Sequence, residues 1–148
     1  MKKLLVATIM VLAFFTQGAN AQIKLGVNIN IGSQPEWGPT GYDYVDNYYL
    51  PDIDAYYNVP AKQFTYMEGN RWVTRASLPA RYSNYDLYHG YKVVANERNP
   101  WNRASYYRSN YGKYKNVKGR QTAIRDSKED KYRRGRGHDD RRDPRGRH

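Results

Sequence analysis

Residues 48–79 read YYLPDIDAYYNVPAKQFTYMEGNRWVTRASLP, and this stretch decides the fold. Apolar and polar side chains alternate along most of it, which is the period-two pattern of half-buried β-strands. Pro51 has no backbone N–H to give to a sheet, so we expect the usable strand to begin after it, at 52–58. One face of that strand carries Ile53, Ala55 and Tyr57, and the other carries Asp52, Asp54 and Tyr56.

A β-hairpin follows, with predicted strands at 63–67 and 71–76 joined through the sequence EGN at 68–70. A three-residue loop places Tyr66 opposite Trp72, whereas a two-residue loop of the glycine and asparagine alone shifts the pairing by one position. We prefer the three-residue loop, because an aromatic pair on one face of a sheet adds about 0.5–1 kcal/mol.

The flanking sequence adds two more strands and one helix. Residues 23–31 alternate without interruption, and residues 91–95 read YKVVA, so both segments are predicted strands. Asn99 before Pro100 is typical of a helix start, and apolar residues recur at helical spacing over about 99–116. The expected fold is therefore mainly β within the α+β class: a small twisted antiparallel sheet of about four or five strands with a C-terminal helix.

The first 21 residues have the features of a secretory signal peptide. Two lysines precede an apolar run of about 12 residues, and an A-x-A site ends at Ala21. The run is too short to span a membrane, which takes about 20 residues. The chain has no cysteine, which excludes disulfides, thiolate zinc sites and attachment of lipid to an N-terminal cysteine. We expect an exported protein, periplasmic or secreted, that is not a lipoprotein and has no transmembrane segment after cleavage.

Positive charge is concentrated in the last third of the chain. Residues 22–97 hold six Lys/Arg and eight Asp/Glu, whereas residues 98–148 hold seventeen and six. We therefore expect a domain at 22–118 and a disordered basic tail at 119–148. The arginines of the tail that we expect to contact an anionic surface are Arg133, Arg134, Arg136, Arg141 and Arg142.

These charges suggest an anionic envelope polymer, or another envelope protein, as the partner. The arginine/glycine pattern of the tail also resembles nucleic-acid-binding segments, but export argues against that partner. The sequence does not predict the oligomeric state.

Asp52 and Asp54 are the strongest candidates for chemistry. Two residues apart on a strand, their carboxylates lie on one face about 7 Å apart. That spacing suits a glycosidase acid/base pair, part of a calcium site, or a solvated edge strand. The sequence contains no G-x-S-x-G, H-E-x-x-H, G-x-G-x-x-G or Walker A motif, so we expect no enzyme activity, no cofactor and no metal.

Tyrosine is unusually frequent, and eleven of the sixteen lie between Tyr42 and Tyr91. Exposed rings at Tyr56, Tyr66 and Trp72 could stack on sugars or nucleobases. The other interpretation is that tyrosine fills the core of a small domain without cysteine. Trp37, in a loop rich in proline and glycine, is expected to plug the edge of that core.

The motifs in residues 51–79 resemble an uncharacterised family of small exported proteins of Gram-negative bacteria. The shared pattern is P-D-[IV]-x-x-Y-Y, then Y-x-x-x-G-x-W, then L-P. Here Pro51 to Tyr57 match the first part and Leu78 and Pro79 match the last, while the middle part runs from Tyr66 to Trp72 with its glycine one position nearer the tyrosine. The resemblance covers about residues 22–125 and implies export but no activity.

The leading hypothesis is a non-enzymatic envelope protein with an aromatic sheet as its interaction platform. The alternatives are a glycan-binding or glycan-acting domain at Asp52 and Asp54, and a nucleic-acid binder acting through the tail.

Overall fold

A computed structural model describes residues 29–133. Their centre is one antiparallel five-stranded sheet with the strand order β4-β3-β2-β1-β5, which confirms the predicted fold class. The strands are β1 (Asn47–Leu50), β2 (Ala55–Asn58), β3 (Gln63–Glu68), β4 (Arg71–Arg75) and β5 (Val93–Ala95).

Strand β1 was missed by the sequence analysis, although it lies inside the sheet and all four of its residues are buried. Leu50 pairs with Ala55, so Pro51 lies in the turn between β1 and β2 instead of interrupting a single strand. The strand predicted at 52–58 begins only at Ala55, because Asp54 adopts a positive φ of 50° that a strand cannot contain.

The strand predicted at 23–31 is wrong at its C-terminal end. Ile31–Ser33 form a 3₁₀ turn, and Ile29 is 63% exposed. Residues 23–28 lie outside the described part of the chain.

The preferred register of the hairpin is also wrong. Met67 pairs with Trp72 and Glu68 pairs with Arg71, so the loop is the two-residue alternative. Gly69, the first loop residue, has φ +58°, as a type II′ turn requires at that position. Turn geometry therefore prevails over the small gain from an aromatic pair.

Each face of the sheet carries its own hydrophobic cluster. The first cluster contains Tyr48, Leu50, Tyr57, Phe64 and Tyr66 and is covered by the loop segment around Leu78–Leu87. Trp37 packs there as predicted, with ring centroids 4.8 Å from Tyr57 and 5.6 Å from Tyr48.

The helical segment covers the second face. A 3₁₀ turn at Pro100–Arg103, helix α1 (Ala104–Tyr111) and a 3₁₀ turn at Gly112–Tyr114 follow one another, which confirms the helix predicted at about 99–116. Tyr107 packs on Tyr49 and Tyr56 of the sheet. No helix in residues 29–133 is long and apolar enough to cross a bilayer.

The folded part of the domain extends past residue 118, which is its predicted end. Ile124 is buried and donates its N–H to the Gly38 carbonyl at 2.8 Å, and a short helix α2 (Asp130–Arg133) follows. The buried Tyr132 accepts a hydrogen bond from Gly41 N–H at 2.7 Å. Backbone hydrogen bonds and one large ring thus hold a segment with few apolar residues.

Candidate functional site

The predicted aromatic platform is largely part of the core. Tyr56 is 0% exposed and Tyr66 is 4% exposed, so neither ring can stack on a ligand. Trp72 is half-buried, with its ring 5.6 Å from Tyr56 and the Arg108 guanidinium 5.9 Å from its centroid. For Tyr56 and Tyr66, the interpretation of tyrosine as core material is the one that fits.

Asp52 and Asp54 lie in the β1–β2 turn and contact different parts of the chain. The Asp54 carboxylate accepts hydrogen bonds from Nε and Nη2 of Arg108, at 2.9 and 2.7 Å. It also accepts one from the Tyr49 hydroxyl at 3.1 Å. Asp52 accepts the Asn116 N–H at 2.5 Å. The two carboxylates therefore fasten the helical segment and the chain after it to the turn, and they are not a pair side by side on a strand.

We expect Asp54→Asn to destabilise the protein by about 1 kcal/mol, because the amide keeps one acceptor but loses the charge opposite Arg108. Asparagine tolerates the positive φ, so backbone strain does not contribute. Urea unfolding at low and high salt checks this: the loss should shrink as salt screens the pair. Asp52→Asn is the matched control, since its amide oxygen can still accept the Asn116 N–H. Equal losses in both variants, unchanged by salt, would contradict the assignment.

A cleft of about 250 Å³ opens beside strand β5, and no pattern in the sequence indicates it. Its walls include Tyr91, Tyr111 and Tyr114, with the partly exposed Tyr42 at its rim. The rings of Tyr91 and Tyr114 are stacked, with their centroids 4.2 Å apart and an angle of 1° between their planes. Burial raises the pKa of Tyr91, with a smaller contribution from the Tyr114 hydroxyl.

Four exposed cations lie next to Tyr114 or after it along the chain; we call Lys113, Lys115, Lys118 and Arg120 the basic segment. None of them forms an ion pair within residues 29–133. The Lys113 Nζ lies 5.2 Å from the ring centre of Tyr114. The basic segment therefore borders the cleft walled by Tyr91, Tyr111 and Tyr114, which we call the tyrosine cleft.

Backbone contacts hold the basic segment against the loop that precedes β5. Gly119 N–H donates to the His89 carbonyl at 2.9 Å, and Lys118 forms an isolated bridge with Gly90. Asn116 and Gly119 both have φ +64°, which turns the chain twice within four residues. These turns keep the three cations Lys115, Lys118 and Arg120 at the surface.

Lys92 lies beneath the cleft and is only 2% exposed. Its Nζ donates to the Tyr88 carbonyl at 3.0 Å, and no carboxylate in the described residues lies within ion-pair distance of it. Burial lowers its pKa to about 8, although the charge of Asp86 partly opposes that shift.

The predicted tail is only partly within the described structure. Arg133 is exposed, with its Nη1 4.0 Å from Asp130. Ala21, Arg134, Arg136, Arg141 and Arg142 lie outside the described residues.

Within residues 29–133 no three His, Asp or Glu side chains cluster closely enough to hold a metal ion. Comparison with known proteins gives no match to a family model, a curated protein or a solved structure. The resemblance to a family of exported bacterial proteins stays a prediction.

Proposed function

We propose that this chain is an exported, non-enzymatic envelope protein whose basic segment binds an anionic polymer. The observation that carries the proposal is that Lys113, Lys115, Lys118 and Arg120 are exposed without an acidic partner in the described residues. Other cations of the same region are neutralised: Arg108 pairs with Asp54 at 2.7 Å, and Lys131 with Asp43 at 3.0 Å. A run of unpaired cations retains its field for an external anion.

The tyrosine cleft adds shape to this charged surface. Tyr114 uses one ring face against Tyr91, and both rings remain partly exposed at the rim. An amphipathic ring beside cations suits a polymer that carries both sugar rings and acidic groups. The arginines at 133–142 would then extend the contact along the same polymer.

Glycan binding independent of charge is the second candidate, and the cleft is the observation that favours it. Its volume of about 250 Å³ is small for a complete ligand pocket, for which about 300–1,000 Å³ is usual. We therefore place the ionic contribution first and expect the cleft to hold at most one sugar unit.

The test compares two variants of equal charge. In the first, Lys115, Lys118 and Arg120 are changed to Gln. In the second, the changes to Gln are at Lys62, Arg98 and Lys128, which are exposed and form no ion pair with another described residue. Binding of the purified protein to lipopolysaccharide vesicles, peptidoglycan and DNA is measured at about 0.05 M and about 0.5 M salt. We expect the first variant to lose about ten-fold or more in affinity for lipopolysaccharide and the second to lose much less.

Three outcomes are distinct. Equal losses in the two variants would mean that only net charge matters and would refute the assignment to the basic segment. Salt-resistant binding to peptidoglycan by both variants would favour the glycan candidate. Preferential binding to DNA would favour the nucleic-acid alternative.

A further inference from the structure

Strand β4 is an edge strand whose outer backbone groups are uncovered. The two-residue loop makes Glu68 and Arg71 a hydrogen-bonded pair, so the next residue, Trp72, turns its N–H and C=O away from β3. Thr74 has the same orientation, two residues further along. The hydrogen bond from Arg81 Nη2 to the Met67 carbonyl, at 2.6 Å, agrees with this alternation, since Met67 is the partner of Trp72.

Little in the described chain covers these groups. The Thr74 carbonyl accepts a hydrogen bond from the neighbouring Arg75 at 3.2 Å, and no further contact to the outward groups of Trp72 or Thr74 occurs within residues 29–133. The opposite edge is different, because the Gln121 side chain bonds both Lys92 N–H and Lys92 C=O, at 2.8 and 2.9 Å. Strand β4 is therefore the more open of the two edges.

Charge indicates which kind of strand fits beside β4. Arg71, Val73 and Arg75 alternate on one face, with both arginines exposed. Arg71 has no ion pair in the described residues, and Arg75 reaches Glu68 only at 3.9 Å, with both side chains more than half exposed. An ion pair of that kind contributes little and leaves Arg75 available.

The same charges disfavour a second copy of this chain. Antiparallel pairing of two β4 strands centred on Val73 would set Arg71 of each copy opposite Arg75 of the other, and like charges directly opposite destabilise a ladder. An acidic partner strand would meet both arginines with opposite charge.

We propose that β4 binds an extended acidic peptide by strand addition, with the pattern acidic-x-aliphatic-x-acidic. Backbone bonds to Trp72 and Thr74 would supply affinity, as in other cases of strand addition. The acidic residues would lie opposite Arg71 and Arg75, and the aliphatic residue opposite Val73. The site is separate from the basic segment and does not depend on its role.

The test uses capped synthetic peptides and the purified protein. TETVTET carries the pattern, TKTVTKT reverses its charges, and TEPVPET keeps the charges but lacks two backbone N–H groups. We expect TETVTET to bind about ten-fold or more tightly than either control, measured by calorimetry. Amide exchange at Trp72 and Thr74 should slow when it binds.

Two variants give the matched control. Arg71→Gln with Arg75→Gln should remove the preference between TETVTET and TKTVTKT, and Arg71→Glu with Arg75→Glu should invert it, with circular dichroism showing that both remain folded. Equal binding of the two charged peptides by the native protein would overturn the proposal, as would no binding of TETVTET. Protection of Trp72 and Thr74 in a dimer without peptide would assign the edge to a second copy and also overturn it.

Discussion

Lys92→Met is expected to stabilise the protein at pH 7 by about 1–3 kcal/mol. The buried ammonium has a pKa of about 8 in the folded state, against 10.5 for an ordinary lysine. A difference of this size corresponds to a penalty of about 3 kcal/mol at neutral pH. Methionine has a similar volume and no charge. The variant also loses the hydrogen bond to the Tyr88 carbonyl, which reduces the gain in stability by about 1 kcal/mol.

The gain should disappear as the pH rises. Between pH 8 and 10.5 the folded protein has released the Lys92 proton while the unfolded chain still holds it, so the native protein gains stability through that window. The difference in the free energy of unfolding between Lys92→Met and the native protein should therefore fall to about 1 kcal/mol or less by pH 10. Urea unfolding at pH 7 and pH 10 measures it, and Lys128→Met, at an exposed position, is the control. A variant less stable at both pH values would show that Lys92 is not buried as a free ammonium.

Local sequence patterns predicted the parts of the fold that rest on local physics. The hairpin follows from alternation around a glycine, and the helix follows from Asn99-Pro100 and apolar spacing. Strand β1 could not be found in this way, because residues buried on both faces of a sheet do not alternate. Its four residues, NYYL, also end directly before Pro51, which we interpreted as a break and not as the start of a turn.

The candidate site was out of reach for a different reason. Composition located the positive charge after residue 98 but not which cations are free, because that depends on partners far away in sequence. Arg108 pairs with Asp54, which is 54 residues away in sequence, and Lys131 pairs with Asp43, which is 88 residues away. Only when the paired cations are known can the basic segment around Lys115 be recognised as a run of cations without ion pairs in residues 29–133.

The packing of residues 119–133 also depends on partners that are far away in sequence. Its hydrogen bonds to Gly38 and Gly41 join segments separated by more than 80 residues, and its local composition resembles that of a disordered tail. Tertiary contacts therefore decide whether this segment is ordered.

Tyr56→Ala should destabilise the protein by about 3–5 kcal/mol, because truncating a buried aromatic ring leaves a cavity. Tyr56 is fully buried, and its ring lies within 5.0–6.2 Å of Tyr49, Trp72, Trp101 and Tyr107. If the ring instead served to bind a ligand, its removal would reduce binding and leave stability nearly unchanged. The free energy of unfolding in urea distinguishes these two roles.

Tyr56→Phe separates the ring from its hydroxyl. The Tyr56 hydroxyl is buried and has no hydrogen-bond partner among residues 29–133, so removing it should leave stability unchanged or raise it by about 1 kcal/mol. Tyr48→Phe is the matched control with the opposite sign: its hydroxyl bonds Gln34 Oε1 at 2.9 Å in the core, and its loss should destabilise by about 1–2 kcal/mol. A loss of the same size in both phenylalanine variants would mean that the Tyr56 hydroxyl has a partner after all. Opposite signs, together with the large effect of alanine, would establish that tyrosine acts here as core material, with the hydroxyl used only where a partner is within reach.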